Sequence, residues 1–150
     1  MRAVVQRVAR ARSTPGGQIE RGICVLLGIA RGDGTEAAAT LAGKVARLRI
    51  FPDEEGRFDR SVLDVAGAAL VVSQFTLIAD GKRQRGTRPD FSKAARPDVA
   101  EPLYERFCEE LRALGVPVET GVFGATMQVE LVNDGPVTII LEVEPSSPLE

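Results

Sequence analysis

Ala69-Leu70-Val71-Val72-Ser73-Gln74-Phe75-Thr76-Leu77-Ile78 decides the fold. It begins as an unbroken apolar run, the pattern of a strand buried on both faces. A strand carried through to Ile78 sets Ser73, Phe75 and Leu77 on one face and Gln74 and Thr76 on the other. The run could be core and nothing more. Two polar side chains sharing one face of an apolar strand need partners when buried, however, and a ligand can be the partner.

Upstream, Ala3 to Ala9 alternates as a strand, and Ser13-Thr14-Pro15-Gly16-Gly17 reads as a turn. Ile23 to Ala30 is a second buried strand. A helix opens at Asp33-Gly34-Thr35 with Thr35 as its N-cap, and Ala38, Leu41, Val45 and Leu48 recur at helical spacing. Pro52 to Gly56 is a loop. Downstream, Asp98 and Glu101 resemble a capping box at the head of a stripe formed by Val99, Leu103, Phe107, Leu111 and Leu114. Gly115 closes that helix and Pro117 lies beyond it. Val116 to Gly121, Met127 to Val132 and Val137 to Val143 complete the strands, and Pro145 to Pro148 is expected to fray. Two helices among about six strands predict an α+β fold, one domain over residues 1–150.

Composition narrows the chemistry. The chain has 150 residues, a net charge of −2 and no histidine. The usual general base and the usual metal ligand are therefore missing, and no metal site or cofactor is expected. Cys24 and Cys108 lie in apolar-periodic segments without metal-like spacing, so they read as buried free thiols of a reducing compartment. The opening MRAVVQRVAR has no signal-peptide core, and no apolar run approaches the ~18 residues of a membrane span. A cytoplasmic protein without membrane contact is expected.

Two further segments stand out. Asn133-Asp134-Gly135-Pro136 is most simply a turn between strands, yet its Gly-Pro bond can be cis and would then aim two successive carbonyl oxygens the same way. Between Gly81 and Pro97, Lys82, Arg83, Arg85, Arg88, Lys93 and Arg96 face a single acid, Asp90. A charge run is usually a solvated loop; the alternative is a patch that follows a nucleic-acid backbone by shape and charge.

Together these segments resemble the D-aminoacyl-tRNA deacylase family. The resemblance is carried by Gln6-Arg7-Val8, Val25-Leu26-Leu27-Gly28, Arg49-Ile50-Phe51, Ser73-Gln74-Phe75-Thr76-Leu77 and Arg88-Pro89-Asp90-Phe91-Ser92-Lys93-Ala94. It continues through Thr120-Gly121, Met127-Gln128-Val129 and Asn133-Asp134-Gly135-Pro136-Val137-Thr138, in order over nearly the whole chain.

The resemblance implies a homodimer of β-rich, barrel-like subunits that hydrolyses the ester joining a D-amino acid to the 3′ end of tRNA. Glycyl-tRNA is an expected further substrate, and aminoacyl-tRNA is the expected partner. In the family each subunit inserts its Gly-cisPro element into the neighbour's site. Carried over, Gly135 and Pro136 present carbonyls to the substrate amine and exclude an L side chain, with Arg7 bracing them. Ser73, Gln74, Phe75 and Thr76 line the site and offer backbone N–H groups, and Phe123 and Met127 flank the terminal adenosine. Lys82, Arg83, Arg85, Arg88 and Lys93 are the candidate tRNA contacts. The family's 2′-hydroxyl is thought to act directly, with Thr76 an older nucleophile candidate. The Arg10 to Arg21 hairpin is about four residues shorter than the family pattern, and Pro15 interrupts its ladder. The competing readings are a sister deacylase acting on L-alanine, which lacks the Ser-Gln-Phe-Thr-Leu segment, and a catalytically silent RNA-binding module.

Overall fold

A long strand, β1 (Arg2–Thr14), organises the sheet. In the computed structural model, which describes residues 1–145, β1 pairs antiparallel on one edge with β3 (Gly22–Gly28) and, near its end, with the short β2 (Gln18–Ile19). Its other edge pairs with β8 (Gln128–Glu142) along nearly its whole length. Beyond β3 come β6 (Ala68–Ser73) and β7 (Val118–Thr120), both parallel to their neighbours. The sheet curls until its ends meet: the amide of Gly17 donates to the carbonyl of Thr120 at 2.9 Å, and Gly16 bridges Gly121. The result is a barrel-like mixed sheet.

Two helices, α1 (Thr35–Ala46) and α2 (Pro97–Ala113), pack on the outer face. Val5, Val25, Ala69 and Val71 point toward them, together with Leu41, Phe107 and Leu111, all of which are fully buried. Val8, Cys24, Leu70 and Val72 point into the curl, against Met127, Val129 and Leu131. Both faces of β3 and β6 are thus covered, which is why these strands are apolar without alternation.

Several expected boundaries move. β1 runs to Thr14 because β8 supplies a partner as far as Gln128, and the turn follows a cis Thr14–Pro15 bond. The run Ala69 to Ile78 is not one strand. β6 ends at Ser73, where the last ladder pair is Leu27 with Ser73, and Phe75–Ile78 tightens into a 3-10 turn. Thr35 is the first helical residue and Gly34 the N-cap. α2 starts at Pro97, whose ring presets the first helical φ, so Arg96 takes the cap position and Asp98 does not. Val99 is exposed, and the buried stripe of α2 instead runs through Ala100, Leu103, Tyr104, Phe107, Cys108 and Leu111.

The loop expected over Pro52 to Gly56 is the connection of a small hairpin, β4 (Phe51–Pro52) with β5 (Phe58–Arg60). Asp53 organises it by accepting from the amides of Glu55 and Arg57. The two strands expected on either side of Gly135-Pro136 are one strand, β8, with an insertion in its middle. Of the tail expected to fray, residues beyond Pro145 lie outside the described residues.

Candidate active site

The carbonyl end of β6 opens into a cavity of about 620 Å³. Ser73, Gln74 and Phe75 form one wall, Phe123 and Met127 another, and Phe91 closes a third side. The amide of Gln74 donates to the carbonyl of Leu27 at 2.8 Å, the last bond that holds the chain to β3. The 3-10 turn then folds over Gly28. A Cβ there would lie 3.0 Å from Leu77 Cβ and 3.1 Å from the Gln74 carbonyl, so glycine lets the turn sit this close to the strand end.

Thr76 sits apart from the residues lining the cavity, at its exposed rim, where its Oγ1 accepts from Gln74 Nε2 at 2.5 Å. The polar pair read from the sequence thus satisfies itself across one turn. Among the described residues, no ionisable side chain lines this cavity. Four carboxyls held below the usual range lie elsewhere: Asp53 through the Arg57 amide, Asp64 through Ser61, Asp80 through Lys93 and Asp90 through Ser92. Burial pushes both thiols up to about 11, so Cys24 and Cys108 remain protonated and unreactive.

The Gly135-Pro136 element is built by a register break. Gln6 pairs with Thr138 and Val8 with Asn133, leaving Asp134–Val137 opposite Arg7 alone. The surplus residues bulge outward, and Gly135 and Pro136 are exposed. The bond between them is cis, and Gly135 has φ +144°. Asn133 ties the base of the bulge, its Oδ1 accepting from the Val137 amide at 2.7 Å and its Nδ2 donating to Thr138 Oγ1 at 3.0 Å. Arg7 braces the bulge from below. Its Nε donates to the Asp134 carbonyl at 2.8 Å and its Nη1 to the Ile50 carbonyl at 2.7 Å, a fork that only a guanidinium spans. None of Arg7, Gly135 and Pro136 lines the cavity of the same chain.

The basic segment divides. Lys82, Arg83, Arg85 and Arg88 surround a shallow cup of about 550 Å³. Lys93 stands apart from that cup and pairs with Asp80 at 3.1 Å. Asp80 also accepts from the Lys82 amide at 3.0 Å, and its own amide donates to the Asp90 carbonyl at 2.8 Å. Lys93 is therefore a clasp at the root of the loop.

Two residues to which sequence reasoning gave no role shape the site. Tyr104, on α2, donates its hydroxyl to the Val71 carbonyl at 2.7 Å and packs its ring 5.8 Å from Phe123. Its place in the buried stripe, at i+4 from Ala100, was the available signal. Phe91 was legible only as one member of the Arg88–Ala94 motif, with no role attached to it.

Comparisons with known proteins place the sequence and the fold in a family. The family described as D-Tyr-tRNA(Tyr) deacylase matches residues 4–142. The D-aminoacyl-tRNA deacylase of Symbiobacterium thermophilum is 60% identical over 96% of this chain and 97% of its own length, and that of Thermus aquaticus is 56% identical over 95% of each. Among solved structures, one titled c-Myc DNA Unwinding Element Binding Protein superposes with a TM-score of 0.88 at 46% identity, covering 96% of this chain and 99% of that one. A probable eukaryotic D-amino acid tRNA deacylase shares the fold at a TM-score of 0.78 and 19% identity, covering 95% of this chain and 98% of that one. On the length and identity of these matches, the chain belongs to the D-Tyr-tRNA(Tyr) deacylase family.

Proposed function

We propose that the protein hydrolyses the ester between a D-amino acid and the terminal adenosine of tRNA, glycyl-tRNA included, and rejects L-aminoacyl-tRNA. The adenosine lies between Phe123 and Met127, and the ester reaches the Ser73–Phe75 wall. The first N–H groups of a helical turn have no acceptor within it, so the amides of Phe75 and Thr76 are the groups that polarise the ester.

One observation carries the reading. The Arg7-braced Gly135-Pro136 element is exposed and does not line the cavity of its own chain, which leaves it free to enter the site of a second copy. Backbone carbonyls presented there would hold the substrate amine and meet the side chain of an L residue. Selection then follows handedness and not side-chain identity. D-Tyr-tRNA and D-Asp-tRNA are expected to be cleaved at comparable rates, glycyl-tRNA also to be cleaved, and L-Tyr-tRNA to persist. Cleavage of L-Tyr-tRNA as fast as D-Tyr-tRNA removes the chiral reading, and survival of every ester leaves only an RNA-binding module. Sedimentation should show a dimer, since a monomer cannot supply the element in trans.

The cationic cup supports tRNA binding outside the acceptor end. Replacing Lys82, Arg83 and Arg85 with alanine should weaken tRNA binding and flatten its dependence on salt, by roughly 0.7–0.9 of logarithmic slope for each phosphate no longer neutralised. Turnover of bound substrate should change little. A salt slope equal to the parent's assigns the cup to bulk solvent.

A further inference from the structure

We propose that the ring of Phe75, propped by Phe91, is a stacking platform for the base of the nucleotide that precedes the terminal adenosine in an unpaired RNA 3′ strand. The inference rests on the tRNA reading above and extends it by one nucleotide.

The two rings meet edge to face, with centroids 5.2 Å apart and planes at 75°. Phe91 is partly buried, whereas Phe75 leaves 57% of its surface open. An aromatic side chain that exposed, in a wall otherwise tucked into the fold, loses the burial that ordinarily stabilises phenylalanine. The arrangement keeps the Phe75 ring fixed and uncovered.

Its position identifies the occupant. Both rings line the same cavity as Phe123 and Met127. They also mark the root of the basic loop. Phe91 directly follows the neck where the Asp80 amide meets the Asp90 carbonyl, and the 3-10 turn begun by Phe75 leads into Asp80. A strand whose last base occupies the cavity and whose phosphates meet Lys82, Arg83, Arg85 and Arg88 finds the Phe75 ring in the cavity lining, on the segment of chain that leads to those cations. Stacking suits that step: every base has a π face, so an exposed phenylalanine ring, which carries no polar group of its own, accepts any of the four. One continuous segment, Phe75 to Arg88, thus offers both an exposed ring for the base and charge for the backbone.

A double-mutant cycle on binding tests this without the ester. The probes are an uncharged RNA hairpin with a single-stranded 3′ end and the same RNA with an abasic ribose in the penultimate position. The proteins are the parent, Phe75→Ala and Phe75→Tyr, with Tm as the check on folding. The parent should bind the abasic RNA roughly ten-fold more weakly, in keeping with one stacked base. Phe75→Ala should bind both RNAs equally, at the weak level, and Phe75→Tyr should restore the difference. The proposal is overturned if the parent does not distinguish the two RNAs, or if the abasic penalty persists undiminished in Phe75→Ala. In the latter case, a loss of dimer in Phe75→Ala would assign the ring to the contact between copies. Failure of the deacylase reading is seen separately, as survival of charged D-Tyr-tRNA with the parent.

Discussion

A tRNA that ends in 2′-deoxyadenosine and carries a D-amino acid is expected to bind this protein and to resist cleavage, with the chemical step slowed roughly 10²–10⁴-fold, the usual worth of a positioned proton-transfer group. Among the described residues the cavity at the end of β6 has no ionisable side chain in its wall, and the chain has no histidine. Asp53, Asp64, Asp80 and Asp90, which lie elsewhere, are held below the usual range by their hydrogen bonds and cations, which makes them weaker bases still. Thr76 is the hydroxyl nearest in sequence to the proposed ester-binding amides, but its oxygen accepts from Gln74 and no base stands ready to take its proton. The substrate's own 2′-hydroxyl lies beside the ester and arrives already oriented. Thr76→Ala should therefore keep most of the activity. Single-turnover rates on the ribo and deoxy substrates separate the two routes. A dead Thr76→Ala variant that comes with normal cleavage of the deoxy ester would make this a threonine hydrolase.

Much of this site was legible as pattern and little of it as geometry. Ser73 to Leu77 and Gly135-Pro136 stood out because polar groups, or a Gly-Pro bond, broke runs that packing alone would have filled with valine and leucine. Periodicity could not show that the strand stops at Ser73. That stop is set by where β3 ends, a tertiary fact, and it takes Thr76 out of the cavity wall to the rim. Nor could it show that Asn133 and Thr138 clasp the base of a bulge, since Gln6 and Val8 pair with residues five apart only once β1 and β8 are in register. Lys93 reads as one more cation until Asp80, outside the basic run, is brought against it. Tyr104 was hidden differently: on an amphipathic helix a tyrosine looks like core, and only the Val71 carbonyl at its hydroxyl and Phe123 at its ring give it a second purpose.

Gly135→Ala is expected to lower the ratio of D-Tyr-tRNA to L-Tyr-tRNA cleavage at least roughly ten-fold, equivalent to ~1.4 kcal/mol of discrimination. The backbone there has φ +144°, a conformation that L side chains rarely adopt. An added Cβ would stand 2.7 Å from Val137 Cγ2, 3.0 Å from the Val137 amide nitrogen and 3.1 Å from Arg7 Nη2. The Arg7 head could shift, but Val137 is buried and its amide is committed to Asn133, so the bulge itself must move. Strain of this kind costs about 1–3 kcal/mol, or a fall in Tm of several degrees for a domain of this size. The carbonyls proposed to face the substrate move with the bulge, and a misplacement near 1 Å is enough to change a rate about 10²-fold. Arg7→Lys should act in the same direction more weakly, because one ammonium cannot bridge the Ile50 and Asp134 carbonyls together. Rates on matched D and L esters, read beside Tm, distinguish the outcomes. A lowered Tm with an unchanged D-to-L ratio would make the bulge a structural feature and place the discrimination in the cavity wall.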